Sequence, residues 1–160
     1  MTNRRAAVIT VSTRAAGGVY ADDAGPVVAD ILRADGWDVA DVVVVPDGRV
    51  VVAEAIRAAC ADAVLVVTSG GTGVHPNDFT PEATRDVIER EVPGLAEAMR
   101  AASLAITPMA MLSRAVAGTV GRSLIVNLPG SPKGAAETLA VVLGVLGHAV
   151  DQLAGGDHSG

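Results

Sequence analysis

Two carboxylates, Asp47 in "VPDGR" and Asp78 in "TSGGTGVHPNDFTPEAT", are the residues whose type and placement point to chemistry. Each follows a β-rich apolar run, and each alone reads as a turn residue or helix cap. Set together at one edge of a sheet, beside glycine loops, they read as ligands for Mg²⁺, which takes one or two carboxylates and fills its other positions with substrate phosphates and water. Arg49 and Arg85 are their alternative partners. The glycine loop itself fits neither common phosphate motif. A Walker A count from Gly70 lands on His75, and a G-x-G-x-x-G count from Gly71 and Gly73 lands on Pro76. What remains is a run of backbone N–H groups that a ligand can approach closely, with the Thr72 hydroxyl beside them. A second loop, "NLPGSPKG" (127–134), opens a helix with Ser131 as its cap, Pro132 next and Lys133 in the first turn. Helix N-termini attract anions. A lysine there works against the helix dipole, so an anionic partner is expected for Lys133, the chain's single lysine.

The elements that must hold these residues alternate along the chain. Residues 6–12, 38–45, 63–67 and 123–128 read as strands, and 24–37, 49–61, 80–91, 94–106 and 131–156 as helices. Thr80 is the expected cap of the third helix, with Pro81 at its first position. A short strand is expected around 114–117, turning back at Gly118 or Gly121. Strand–helix alternation with buried apolar runs predicts a doubly wound, mostly parallel α/β sheet. Such sheets bind ligands outside the carboxyl ends of their strands. "STRAAGGVYADD", "PDG", "TSGGTGVHPND" and "NLPGSPKG" each follow a predicted strand, so all are expected at one edge around a common crevice.

Composition bounds the rest. A chain of 160 residues is near the ~100–200 expected of one domain. Half the residues are apolar and 2% aromatic, so the core is built from Val, Leu, Ile and Ala, and some apolar surface is expected between subunits. A net charge of −6 argues against broad binding of nucleic acid. Cys60 is alone, which excludes an intrachain disulfide and a cysteine zinc site. His75, His148 and His158 share no ligand spacing; Tyr20 and Phe79 are candidates to stack on a ring. The apolar runs are short, so a cytoplasmic protein with no membrane span is expected.

"TSGGTGVHPNDFTPEAT", "LSRAVAG" and "NLPGSPKG", with "STRAAGGVYADDAGP" and "VPDG", resemble the MogA-type molybdopterin adenylyltransferases of molybdenum cofactor biosynthesis across nearly the whole chain. The resemblance implies a three-layer α/β/α domain, a homotrimer, and Mg²⁺-dependent transfer of AMP from ATP to molybdopterin, whose product then receives molybdate from a possible partner protein. Asp47 and Asp78 match the family's two functional aspartates, in both catalytic and metal-binding roles. Thr72, Ser103 and Ser113 match residues linked to pterin binding, and Asn127, Pro129 and Gly130 match the second glycine loop. Ser12, Ser69, Gly70, Gly71, Gly73, Ser131 and Lys133 complete the expected substrate contacts. Asn77 stands where the family commonly has arginine, and Arg14 or Arg114 is the expected substitute cation. The alternatives are a non-catalytic trimeric molybdopterin-binding protein and a generic nucleotide-binding α/β module.

Overall fold

Three apolar runs make the centre of the sheet. The computed structural model describes residues 4–156, and in it β1 (Arg5–Val11), β4 (Leu65–Ser69) and β7 (Ser123–Leu128) are buried almost throughout. They pair in parallel, with Ala6 beside Leu65 and Leu65 beside Leu124. Successive side chains point to opposite faces of a strand. Thus Ala6, Val8, Leu65, Val67, Leu124 and Val126 enter one half of the core, while Ile9, Val66 and Ile125 enter the other. Helices α2 (Ala24–Ala34), α5 (Pro93–Leu104) and α6 (Pro132–Leu153) cover the first half. Helices α3 (Arg49–Cys60) and α4 (Thr80–Arg85) cover the second. The result is the expected three-layer α/β/α arrangement.

The edges depart from the sequence reading. Residues 38–45 form two short strands rather than one, β2 (Asp38–Val39) and β3 (Val43–Val45), both parallel to β1. Helix α4 ends at Arg85 instead of continuing to 91, because the chain beyond it is drawn into the sheet. Glu89 N–H donates to the Thr119 carbonyl at 2.8 Å and Val92 N–H to that of Ala117 at 2.8 Å. The residues between them form β5 (Arg90–Glu91), antiparallel to β6 (Ala117–Val120). Strand β6 is in turn antiparallel to β7 through a turn at Gly121, whose φ of 54° suits glycine. The order across the sheet is β2-β1-β4-β7-β6-β5, with β3 beside β1.

Ser131 caps α6 as expected, its Oγ accepting from Gly134 N–H at 3.0 Å. The helix has 22 residues and is the one described helix long and apolar enough to cross a membrane. Leu139, Val142, Leu146 and Val150, at helical spacing, bury its inner face against the sheet instead. Thr80 is the first helical residue of α4 and Phe79 precedes it as cap, without a side-chain bond. The Thr80 hydroxyl is used elsewhere, as described below. Of the tail "GGDHSG", residues 157–160, including His158, lie outside the described residues.

Arg49 and Arg85 pair with neither site carboxylate. Arg85 meets Glu91 at 3.0 Å, and Arg49 forks onto Asp86 at 2.7 and 2.8 Å, tying α3 to the end of α4. The hydrogen bond from Arg49 holds the Asp86 carboxyl below its ordinary range, and Asp86 raises the Arg49 guanidinium in return. A depressed carboxyl stabilises the fold above its unfolded pKa and loses that contribution as pH falls through the folded value. The pair is exposed, so its effect is small. Asp86→Asn should therefore lower the urea midpoint slightly near neutral pH and not at all in acid, and titrating both proteins across the carboxylate range measures this.

Candidate functional site

Two clefts open at the carboxyl ends of the strands, on either side of the glycine loop. The first, about 600 Å³, is lined by Asp47 and Asp78 together with Ser12, Gly70, Gly71 and Gly130. The second, about 300 Å³, lies between α5, the 3₁₀ turn Pro108–Leu112 and α6, and is lined by Thr72, Gly73, Ser103, Ser113, Pro129 and Ser131. The expected residues are thus divided between two compartments that share a wall.

The wall is backbone packed on backbone. Gly70 N–H donates to the Leu128 carbonyl at 3.0 Å, and the Ser69 hydroxyl to that of Pro129 at 2.9 Å, so the loops after β4 and β7 are joined. Gly70 has a φ of 104°, and a side chain there would run into the Val11 carbonyl oxygen. Gly71 has a φ of 69°, and a side chain there would meet the Thr80 hydroxyl, which donates to the Gly70 carbonyl at 2.8 Å. Both positions demand glycine. Thr72 is buried, and its hydroxyl makes no hydrogen bond to the described residues, which leaves it available in the second cleft.

Each aspartate is held by its own neighbourhood through one oxygen. Asp47 Oδ2 accepts from the Thr13 hydroxyl at 2.8 Å and from Thr13 N–H at 3.2 Å, while Asp47 N–H donates back to Thr13 Oγ1 at 3.0 Å. Asp78 Oδ2 accepts from His75 N–H at 3.2 Å, and Asp78 N–H donates to the His75 carbonyl at 2.9 Å, closing a tight turn. The Oδ1 atoms take no hydrogen bond from the described residues, and neither carboxylate lies in an ion pair among them. No group of three or more His, Cys, Asp or Glu suited to a metal occurs among the described residues. A cation here would be held by these two carboxylates and by its ligand.

Arg114 explains why "LSRAVAG" and "TPEAT" occur in one chain. Its Nε donates to the Gly73 carbonyl at 2.7 Å and its Nη2 to the Asp78 carbonyl at 2.8 Å. Its Nη1 meets both Glu82 carboxylate oxygens, at 2.7 and 2.8 Å, and its own N–H donates to the Thr72 carbonyl at 2.8 Å. Arg114 is therefore a clamp on the glycine loop and on Asp78, not the substitute phosphate cation anticipated from sequence.

Asn127 and Lys133 take different places. Asn127 is fully buried, and its side chain is consumed by the protein: Oδ1 accepts from Val116 N–H at 3.1 Å, and Nδ2 donates to the Thr68 and Thr84 hydroxyls at 3.0 and 2.9 Å. It holds β4, β7 and α4 together at the lining of the second cleft. Lys133 lines neither cleft; its side chain is 83% exposed, with Nζ 3.8 Å from Glu137. Sequence reasoning missed Thr13 and Asp22. Asp22 accepts from the Thr10 hydroxyl at 2.8 Å and from Gly25 N–H at 3.0 Å, which folds the loop after β1 over the first cleft. An aspartate just before an apolar helical run is the residue type that binds free N–H groups there, and that is the signal available for Asp22. Nothing local marks Thr13, whose partner lies 34 residues away. Cys60 ends α3 at the opposite edge of the sheet, and burial raises its thiol pKa.

Comparison with known proteins bears on this geometry. The family described as "Probable molybdopterin binding domain" matches residues 7–148. A molybdopterin adenylyltransferase of Helicobacter pylori strain J99 is 38% identical over 152 residues, spanning 92% of this chain and 86% of that protein. Its counterpart in Escherichia coli K12 is 36% identical over 157 residues, spanning 94% and 79%. Among solved structures, the molybdopterin biosynthesis Mog protein from Mycobacterium ulcerans superposes with a TM-score of 0.88 at 47% identity, covering 94% of this chain and 99% of that one.

Proposed function

We propose that this chain, which belongs to the molybdopterin-binding family just described, is a molybdopterin adenylyltransferase of molybdenum cofactor biosynthesis, moving AMP from ATP to molybdopterin in the cytoplasm. One observation carries the reading: two carboxylates without an ion pair among the described residues, each anchored through a single oxygen, line one cleft beside glycine backbone. That donor set suits Mg²⁺, a hard cation that takes one or two carboxylates and completes its shell with phosphate oxygens and water. When bound it would offset phosphate charge and help align the donor.

The residues divide the work between the two clefts. The first, with Asp47, Asp78 and the amide of Gly71, takes ATP. The second, with Thr72, Ser103, Ser113 and Ser131, takes the pterin. Its terminal phosphate then meets the ATP α-phosphorus at the shared wall. A phosphate oxygen forms the new bond to that phosphorus, the bond to the β-phosphate oxygen breaks, and pyrophosphate leaves. The nucleophile is already anionic at neutral pH, so no general base is required; the protein supplies alignment and charge neutralisation.

Apolar surface supports a homotrimer. Leu104, Ile106, Met109, Met111 and Leu112 are all exposed around the end of α5 and the 3₁₀ turn. Light scattering should give about three chains per particle; a monomer at working concentration would refute the trimer. The uncharged Asn77 before Asp78 favours the second reading, a trimeric molybdopterin-binding protein without turnover. Incubation with molybdopterin, ATP and Mg²⁺ separates the two: adenylylated product and pyrophosphate support the enzyme, and pterin binding with no product supports the carrier.

A further inference from the structure

The first cleft is acidic. Asp22 and Asp23 line it along with Asp47 and Asp78. The adenylyl-transfer reading, on which this inference rests, places a triphosphate there. Like charges at close range repel strongly wherever water is excluded, so a cation fixed in the protein is needed beyond any bound metal. Among the described residues lining this cleft, Arg14 is the one arginine or lysine. The neighbouring cations are committed elsewhere, Arg114 to Glu82 and two loop carbonyls, Arg49 to Asp86, and Lys133 to the solvent side of α6.

Arg14 is held without using its donors. It lies in the short helix α1 (Thr13–Ala16), and its guanidinium carbon stands 5.3 Å from the centroid of the Tyr20 ring. The Tyr20 hydroxyl is 3.1 Å from Ser12 Oγ, which also accepts from Ala15 N–H at 3.2 Å and so caps that helix. Stacking engages the face of a guanidinium and leaves the N–H groups at its edge available. Arg14 makes no ion pair or hydrogen bond with the described residues through those groups. A pre-positioned fork of unused donors over an acidic cleft is suited to an incoming phosphate.

We propose that Arg14 is a phosphate-binding residue for the adenylyl donor, taking the β- and γ-phosphates that depart as pyrophosphate, and that Tyr20 positions it. Negative charge accumulates on the leaving pyrophosphate as the bond to the α-phosphorus breaks, so a fixed cation there acts on the transition state as well as on binding.

Calorimetric titration of the full chain with Mg²⁺-ATP, Mg²⁺-pyrophosphate and AMP tests this. Arg14→Ala should weaken ATP and pyrophosphate about tenfold or more and leave AMP within about twofold. Arg14→Lys should recover only part of the loss, because an ammonium cannot present a planar fork. Tyr20→Ala should fall between the parent and Arg14→Ala. Arg14 is exposed, so the melting temperature should not move. Unchanged ATP affinity in Arg14→Ala overturns the proposal, and so does an equal loss for AMP, which would mark a contact to adenosine. A parent protein that binds neither ATP nor pyrophosphate removes the adenylyl-transfer reading itself, and this proposal with it.

Discussion

Asp78→Ala should lower the rate of AMP transfer by about a thousandfold while the protein stays folded. The carboxylate has one oxygen on the His75 N–H, and its other oxygen has no partner among the described residues. A role confined to the turn would need only the first. Asp78→Asn separates the two roles, because an amide oxygen still accepts the His75 N–H but carries no charge for a cation. Asn should therefore restore loop stability and leave transfer nearly as poor as Ala. Asp47→Ala should match Asp78→Ala, and the double variant should be little worse than either, as for groups that act as a unit. Single-turnover formation of adenylylated molybdopterin at several Mg²⁺ concentrations is the measurement. Transfer within about tenfold of the parent in Asp78→Asn would show that the carboxylate serves the turn alone.

The sheet's interior was legible because its rule is local. Runs such as "AVLVV" and "SLIVNL" read as strands covered on both faces, and they are. The ends of elements were less legible because distant partners decide them. Nothing within 80–91 announces that Glu89 and Val92 will bond across to β6 and end the helix early. The same division runs through the site. Gly70, Gly71 and the two aspartates stand out by type and position. Asn127 and Lys133 stand out just as much, yet the structure buries one among hydroxyls and turns the other to solvent. A residue type states what chemistry is available; side-chain direction, fixed by packing, states who receives it. Arg114 shows this most clearly, since its role depends on Glu82, 32 residues earlier.

Arg114→Ala should cost about 3 kcal/mol of stability and weaken both substrates together. Removing the guanidinium leaves Glu82, whose side chain is 26% exposed, facing the site without its partner. It also strands the carbonyls of Gly73 and Asp78, which then need water or new donors. Partial exposure of the pair, with Arg114 at 38%, keeps the cost toward the lower end of the range for a broken buried ion pair. Arg114→Lys should recover little, because one ammonium cannot reach two carbonyls and both Glu82 oxygens in fixed directions. Glu82→Gln should be milder, since its amide oxygen still accepts. Arg114 holds the wall between the clefts, so loosening it should raise KM for ATP and for molybdopterin alike. Had it been the phosphate cation suggested by its place in the sequence, ATP affinity alone would fall and the urea midpoint would hold. Measuring both KM values beside the unfolding curve decides between them. A clamp predicts linked losses, because the Asp78 carbonyl and the backbone of the Thr72–Gly73 wall hang on the same side chain.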